Sequence, residues 1–177
     1  MKFLLTGLFF LLVCSCSLKE KKATVRTAPD IPSAWLMIEK DDYIIHYPQT
    51  WERQSRSEGV EFQLFSPITS SADKLRDNVN LVIVNLFAKM SLERYVALEE
   101  KNLKDKFSIS VTGKNKYSVD GQVYYQLNMR WKDGNCLTQH FYLKEKTAYI
   151  LSFTYNPDEM DYMLSEGEKI LASFKVK

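Results

Sequence analysis

Cysteine is nearly missing from this chain of 177 residues, with only Cys14, Cys16 and Cys136 present. Beyond residue 16 there is a single thiol, so no disulfide can close within the body of the chain, and the disulfide-stapled class of small exported folds is excluded. Histidine is scarcer still, at His46 and His140. Neither Cys-x-x-Cys nor His-Glu-x-x-His spacing occurs, so the sequence carries no zinc motif. The six glycines are scattered singly, which removes the glycine-rich phosphate loop and the Gly-x-Ser-x-Gly nucleophile elbow. An excess of one charge is also lacking. Lys and Arg total 24 against 22 Asp and Glu, giving neither the basic footprint of a nucleic-acid binder nor the acidic bias of a disordered chain.

A transmembrane-length apolar run is absent too. The longest, Phe3 to Val13, is about eleven residues where a span needs about 20. It follows Lys2 and is interrupted only by Thr6 and Gly7, so it has no polar face with which to serve as an amphipathic core helix. A positive start, a short apolar stretch and small residues make the layout of a secretory signal. Val13-Cys14-Ser15-Cys16 is similar to the lipobox of bacterial lipoproteins, with Val13 where Leu is usual and Cys14 where a small residue is usual. The expected outcome is cleavage before Cys16 and lipid attachment to its thiol. Residues 1–15 are then the signal peptide, and the net charge of +2 falls to +1 with the loss of Lys2.

Ser17 to Ser33 is polar, contains Pro29 and Pro32, and has no period. Residues 16–34 therefore read as a lipid-anchored flexible tether, with a span on the order of 20–25 Å. Residues 35–177 read as one domain, for which 45% hydrophobic and 13% aromatic residues provide a core.

Within that domain the periodicity predicts strands at Asp42–Tyr47, Val60–Phe65 and Val79–Phe87, and a helix capped by Ser91 that runs to Lys106. Four strands follow, at Ser108–Val119, Gln122–Trp131, Cys136–Leu143 and Ala148–Tyr155, with Asp120-Gly121 and Lys132–Asn135 as turns. Asn156, Pro157 and Glu159 read as a capping box for a final helix, whose apolar stripe is Met160, Met163, Leu164, Gly167, Ile170, Leu171 and Phe174. Two helices against a mainly antiparallel sheet make an α+β fold.

Groups able to do chemistry are few. Asp158-Glu159 suits a helix N-terminus, Glu99-Glu100 a solvated helix face, and Asp41-Asp42 lacks the spacing of a calcium loop. His46, His140 and Cys136 lie on strands and form no motif. An aromatic cleft between sheet and helix, lined by Tyr124, Trp131 and Tyr142, is the expected ligand site if one exists. The polar stretch 66–78 is the expected interaction loop.

Taken in order, Tyr43-Ile-Ile-His-Tyr-Pro-Gln-Thr-Trp51, Phe65-Ser-Pro67, Asn78–Val84, Ser91–Val96, Asp120-Gly121, Ala148–Thr154 and Ile170–Phe174 resemble the PsbP/DcrB/Mog superfamily across residues 42–174. The resemblance implies an α/β/α sandwich and a binding or assembly role without a shared catalytic set. In it Pro48 ends a strand and Trp51 packs over the sheet. The expectation is a non-enzymatic lipoprotein domain of the cell envelope, with the outer membrane favoured in a Gram-negative cell. It acts on a protein partner or else carries a small ligand, and requires no cofactor, metal or nucleic acid.

Cys16→Ser is expected to move the chain from the membrane pellet to the soluble fraction. A variant that still pellets at high salt refutes the anchor.

Overall fold

A computed structural model describes residues 22–54, 58–68, 76–158 and 161–177, with side chains omitted at 161–163. The expected signal peptide, Cys16 and residues 69–75 of the expected interaction loop lie outside the described residues. Thirteen elements follow one another: β1 Thr24–Val25, β2 Leu36–Glu39, β3 Tyr43–Tyr47, β4 Glu52–Gln54, β5 Phe62–Phe65, β6 Asn78–Asn85, α1 Leu92–Lys106, β7 Ser110–Val119, β8 Gln122–Arg130, β9 Cys136–Lys144, β10 Thr147–Tyr155, α2 Asp161–Ala172 and β11 Lys175–Val176.

Eight strands form one sheet in the order β1-β7-β8-β9-β10-β6-β5-β4, and three form a smaller sheet, β11-β3-β2. All pairings are antiparallel except β1 with β7. The fold is α+β. Helix α1 packs on β7, β8 and β9, whereas α2 packs on β10, β6 and β3. Side chains alternate across a strand, so the two helices take opposite parities of the sheet. Tyr125, Leu127, Phe141 and Ala148 join the core under α1, and Tyr124, Tyr142, Tyr149, Leu151 and Phe153 join the core under α2 and the small sheet.

The β7–β8 hairpin turns on Asp120 and Gly121, with φ of 50° and 81°. This double positive φ is the type I′ turn whose twist matches the flanking strands. Ser91 caps α1 as expected, its Oγ accepting from the Arg94 N–H at 3.2 Å. Strand β6 ends at Asn85, two residues before the expected Phe87, which is fully exposed.

Three short pieces at the margins were absent from the sequence pattern. Strand β2 is four residues long and β4 three, and β11 returns after α2 to pair with β3. Thr24–Val25, inside the expected tether, pair with Tyr117 and Ser118 of β7, and the Arg26 N–H continues the ladder to the Ser118 carbonyl at 2.9 Å. Ahead of the final helix, the expected cap Asn156 makes side-chain and backbone contacts of its own. Asn156 donates its N–H to Asp77 Oδ1 and accepts from the Asp158 N–H, which makes an Asx turn. Pro157 and Asp158 belong to this turn and the helix is described from Asp161; Glu159 of the expected box lies outside the described residues. No helix among the described residues is long and apolar enough to cross a membrane.

Helix α2 reaches the sheet at Gly167, where an added Cβ would land within the Phe153 ring. Phe153 is fully buried and packs at 6.4 Å from the Trp51 ring, so it has little room to yield. Gly167→Ala is expected to destabilise the protein by about 1–3 kcal/mol through overpacking. That loss exceeds the roughly 1 kcal/mol that alanine gains in helix propensity. Urea unfolding checks it, and an unchanged or raised midpoint refutes the close approach.

Candidate functional site

Alternation along β8 and β9 places Tyr124 and Gln126 of β8 and Thr138, His140 and Tyr142 of β9 on one face of the large sheet, with Gln126 paired directly to His140. The rings form a continuous series. Tyr117 lies 5.5 Å from Tyr124, Tyr124 4.6 Å from His140 and 5.2 Å from Tyr142, and Tyr142 5.1 Å from Phe174. Arg26, carried in by β1, closes the outer end with its guanidinium 3.4 Å from the centroid of Tyr117. Its Nη1 also donates to the Tyr124 hydroxyl and Gln126 Oε1, each at 3.5 Å. These partners are all neutral, and among the described residues no carboxylate pairs with Arg26.

Between this face and α2 is a cavity of about 320 Å³. Arg26, Gln126, Thr138 and His140 line it from the sheet side, and Ser165, Glu168 and Lys169 from the helix. The volume is at the small end of ligand pockets. A second, more open cleft of about 520 Å³ lies where the β7–β8 hairpin approaches the start of α1, with Glu93, Lys116, Gln122, Val123, Tyr125 and Lys144 along it.

Electrostatics in the first cavity keep the imidazole neutral. Burial, and then the Arg26 charge, push His140 down to about 3. Burial likewise holds Tyr142 well above the ordinary phenol range and raises Tyr124. At neutral pH the cavity therefore offers a neutral imidazole, hydroxyls, an amide and an arginine, with Glu168 and Lys169 on the helix side. These are hydrogen-bonding and charge-pairing groups suited to holding a small polar molecule.

The structure unites only some of the residues marked by the sequence. Tyr124 and Tyr142 stack as the expected cleft requires, but Trp131 does not join them. It follows Tyr125, Leu127 and Met129 in parity, so it falls on the α1 side and meets Phe107 edge-on at 6.1 Å. His46 lies on the small sheet, its N–H donating to Ser173 Oγ at 2.9 Å, and takes no part in the ring contacts of His140. Cys136 shares the strand and parity of His140 but lies four residues away, about 13 Å along the strand. Among the described residues no three His, Cys, Asp or Glu side chains gather as a metal site. Trp51 is buried over the sheet, and its Nε1–H donates to Glu166 Oε2 at 2.9 Å.

The described ends of the 66–78 loop close on themselves. The Ser66 N–H donates to the Asp77 carbonyl, and Arg76 Nε–H to the Ser66 carbonyl. Sequence reasoning missed Arg26, which sits in a stretch of tether composition. The period-two series Tyr124-x-Gln126 and Thr138-x-His140-x-Tyr142 was the signal available for the rest.

An unfolded histidine takes up a proton near 6.5, but His140 in the fold only near 3. Between those values the unfolded chain binds more protons, so acid favours unfolding. The stability tied to neutral His140 is intact above the unfolded value and is lost as the pH falls toward 3, at up to about 1.4 kcal/mol per pH unit. His140→Phe, which keeps the ring stack, is expected to lose stability less steeply than the parent between about pH 6 and 4. Parallel slopes in urea titrations refute the buried neutral imidazole.

No family model and no curated protein matches the sequence. Solved structures do. The PsbP of the cyanobacterium Synechocystis sp. PCC 6803 superposes with a TM-score of 0.59 at 16% identity, covering 82% of this chain and 94% of its own. LpqN of Mycobacterium tuberculosis, involved in cell envelope biogenesis, gives 0.60 at 11% identity, with 81% and 90% covered. PA94 of Pseudomonas aeruginosa, a protein of unknown function, gives 0.56 at 13% identity, with 78% and 94% covered. Sheet order, helices on opposite faces and these three superpositions together show that the chain has a PsbP/DcrB-like fold.

Proposed function

We propose that this chain is a lipid-anchored binding module of the cell envelope, held at a membrane through Cys16, whose PsbP/DcrB-like domain engages a protein partner. The leader and its lipobox support the anchor. The likeness to LpqN, which is itself involved in cell envelope biogenesis, supports the compartment.

The observation that carries the protein partner is the free edge of β2. It is the outermost strand of the small sheet, and its Leu36 and Met37 are 46% and 51% exposed. An edge whose exposed side chains are mostly apolar, its one charge Glu39 paired with Lys177 at 2.8 Å, is a template for another strand, and β-strand addition is a common mode of peptide recognition. No described strand covers it. A second reading, a small-ligand carrier or sensor, is favoured by the polar cavity around His140.

A photoreactive residue in place of Met37, in the full-length chain in its native cells, is expected to give one discrete adduct. Leu36→Lys is expected to abolish it while membrane association persists. Absence of an adduct from a correctly processed chain, or an adduct indifferent to Leu36→Lys, refutes the edge as the binding surface.

A further inference from the structure

In the cavity of about 320 Å³ between the large sheet and α2, the neutral groups of the sheet side satisfy one another. Gln126 Nε2 donates to Asn128 Oδ1 at 2.8 Å, and the Thr138 hydroxyl donates to the same oxygen at 3.3 Å. His140 is engaged by the Leu171 carbonyl and by the Tyr142 hydroxyl, the latter at 3.5 Å. Thr138 and His140 are also buried, at 8% and 4% exposure. The floor of the cavity is thus polar but already paired.

Arg26 is the exception. Its guanidinium carbon sits 3.4 Å over the Tyr117 ring, so stacking holds the plane of the fork. Of its five N–H donors, only those on Nη1 meet acceptors among the described residues, and both contacts are long at 3.5 Å. The Nε–Nη2 edge is left over, and such an edge grips a carboxylate through two parallel hydrogen bonds. Its charge is unspent as well. On the opposite wall Glu168 and Lys169 are chain neighbours of opposite sign, so the charged lining amounts to the single positive charge of Arg26.

We propose that this cavity binds a small monocarboxylate, its carboxylate on the Nε–Nη2 edge of Arg26 and its body between the Thr138–His140 floor and α2. The assignment rests on the reading of the domain as a small-ligand carrier or sensor and names the ligand class. A neutral molecule would find the amide, hydroxyl and imidazole already paired, and exchanging one hydrogen bond for another gains little. A dianion would bring one charge more than the lining balances and would meet Glu168, a like charge that selects against it. The volume, at the small end of ligand pockets, suits a molecule of a few carbon atoms. Arg26 is itself exposed, so the carboxylate reaches the guanidinium without any opening of the fold.

The test is a titration of the isotope-labelled, full-length Cys16→Ser chain with acetate, lactate, pyruvate, glycerate and alanine, read by the Gln126 side-chain amide and His140 ring resonances. Lactamide serves as the neutral analogue, and inorganic phosphate at about pH 8 as the dianion. At least one carboxylate is expected to shift these signals saturably, with lactamide and phosphate weaker by about tenfold or more. Arg26→Gln is expected to weaken carboxylate binding by about tenfold or more. Glu168→Gln, which removes the opposing charge, is expected to tighten it, a gain that a damaged fold cannot produce. The proposal is overturned if Arg26→Gln leaves the affinity unchanged, if Glu168→Gln weakens it, or if phosphate binds in preference to every carboxylate. Lactamide binding in preference to every carboxylate also overturns it but spares the small-ligand reading, whereas silence from every probe overturns both.

Discussion

The architecture depends on the insertion of Phe174 between the two sheets. Its ring, nearly inaccessible to solvent, lies 5.1 Å from Tyr142 and 6.1 Å from Tyr149 on the large sheet, and 5.7 Å from Tyr43 on the small one. An isolated three-stranded ribbon of short strands is marginal in water. Here Phe174 gives its inner face a partner. The residue before it, Ser173, accepts the His46 N–H and donates to the Ile170 carbonyl, coupling the end of α2 to β3. One aromatic side chain and one hydroxyl thus fix where α2 stops, where β11 starts and how the small sheet is set against the large one.

What the sequence made legible and what it hid follow from the range of the interactions. The four long strands and the Asp120-Gly121 turn are specified locally, by alternation and by a φ requirement at two adjacent residues, and they appear where the pattern places them. Ser91 caps its helix through a contact three residues away, which is equally local. Strands β2, β4 and β11 exist because a neighbour distant in the chain supplies the ladder, so no period within two to four residues announces them. Ahead of α2, Asp77, 79 residues earlier, takes the Asn156 N–H, a contact that no local pattern announces. In the cavity Tyr124 and Tyr142 were legible by type, whereas Arg26 was not. Its role arises only once Thr24–Val25 pair with β7.

The two faces of the large sheet answer different physical demands. One buries tyrosines so thoroughly that their hydroxyls are held protonated, Tyr149 at about 12, and keeps an imidazole neutral among them. The other carries Gln63, Asn80, Ser152 and Gln139 in one cross-strand row beside the core under α1. A single strand such as β9 serves both: Tyr142 and His140 on one side, Gln139 on the other, and Leu137 and Phe141 under α1. Period-two alternation thus lets one sheet present chemically unrelated surfaces with no additional domain.

The pairing of Thr24–Val25 with β7 also changes how the domain would hang from a lipid at Cys16. Between that residue and the first paired one there remain only positions 17–23, a leash of at most about 25 Å when taut. Beyond it the chain belongs to the sheet. A load on the leash would meet the parallel β1–β7 ladder and the Arg26–Tyr117 stack in shear before reaching the rest of the fold. Were Cys16 lipidated, a leash that short, rooted at the β7 margin, would keep this margin nearer the bilayer than the opposite margin at β4.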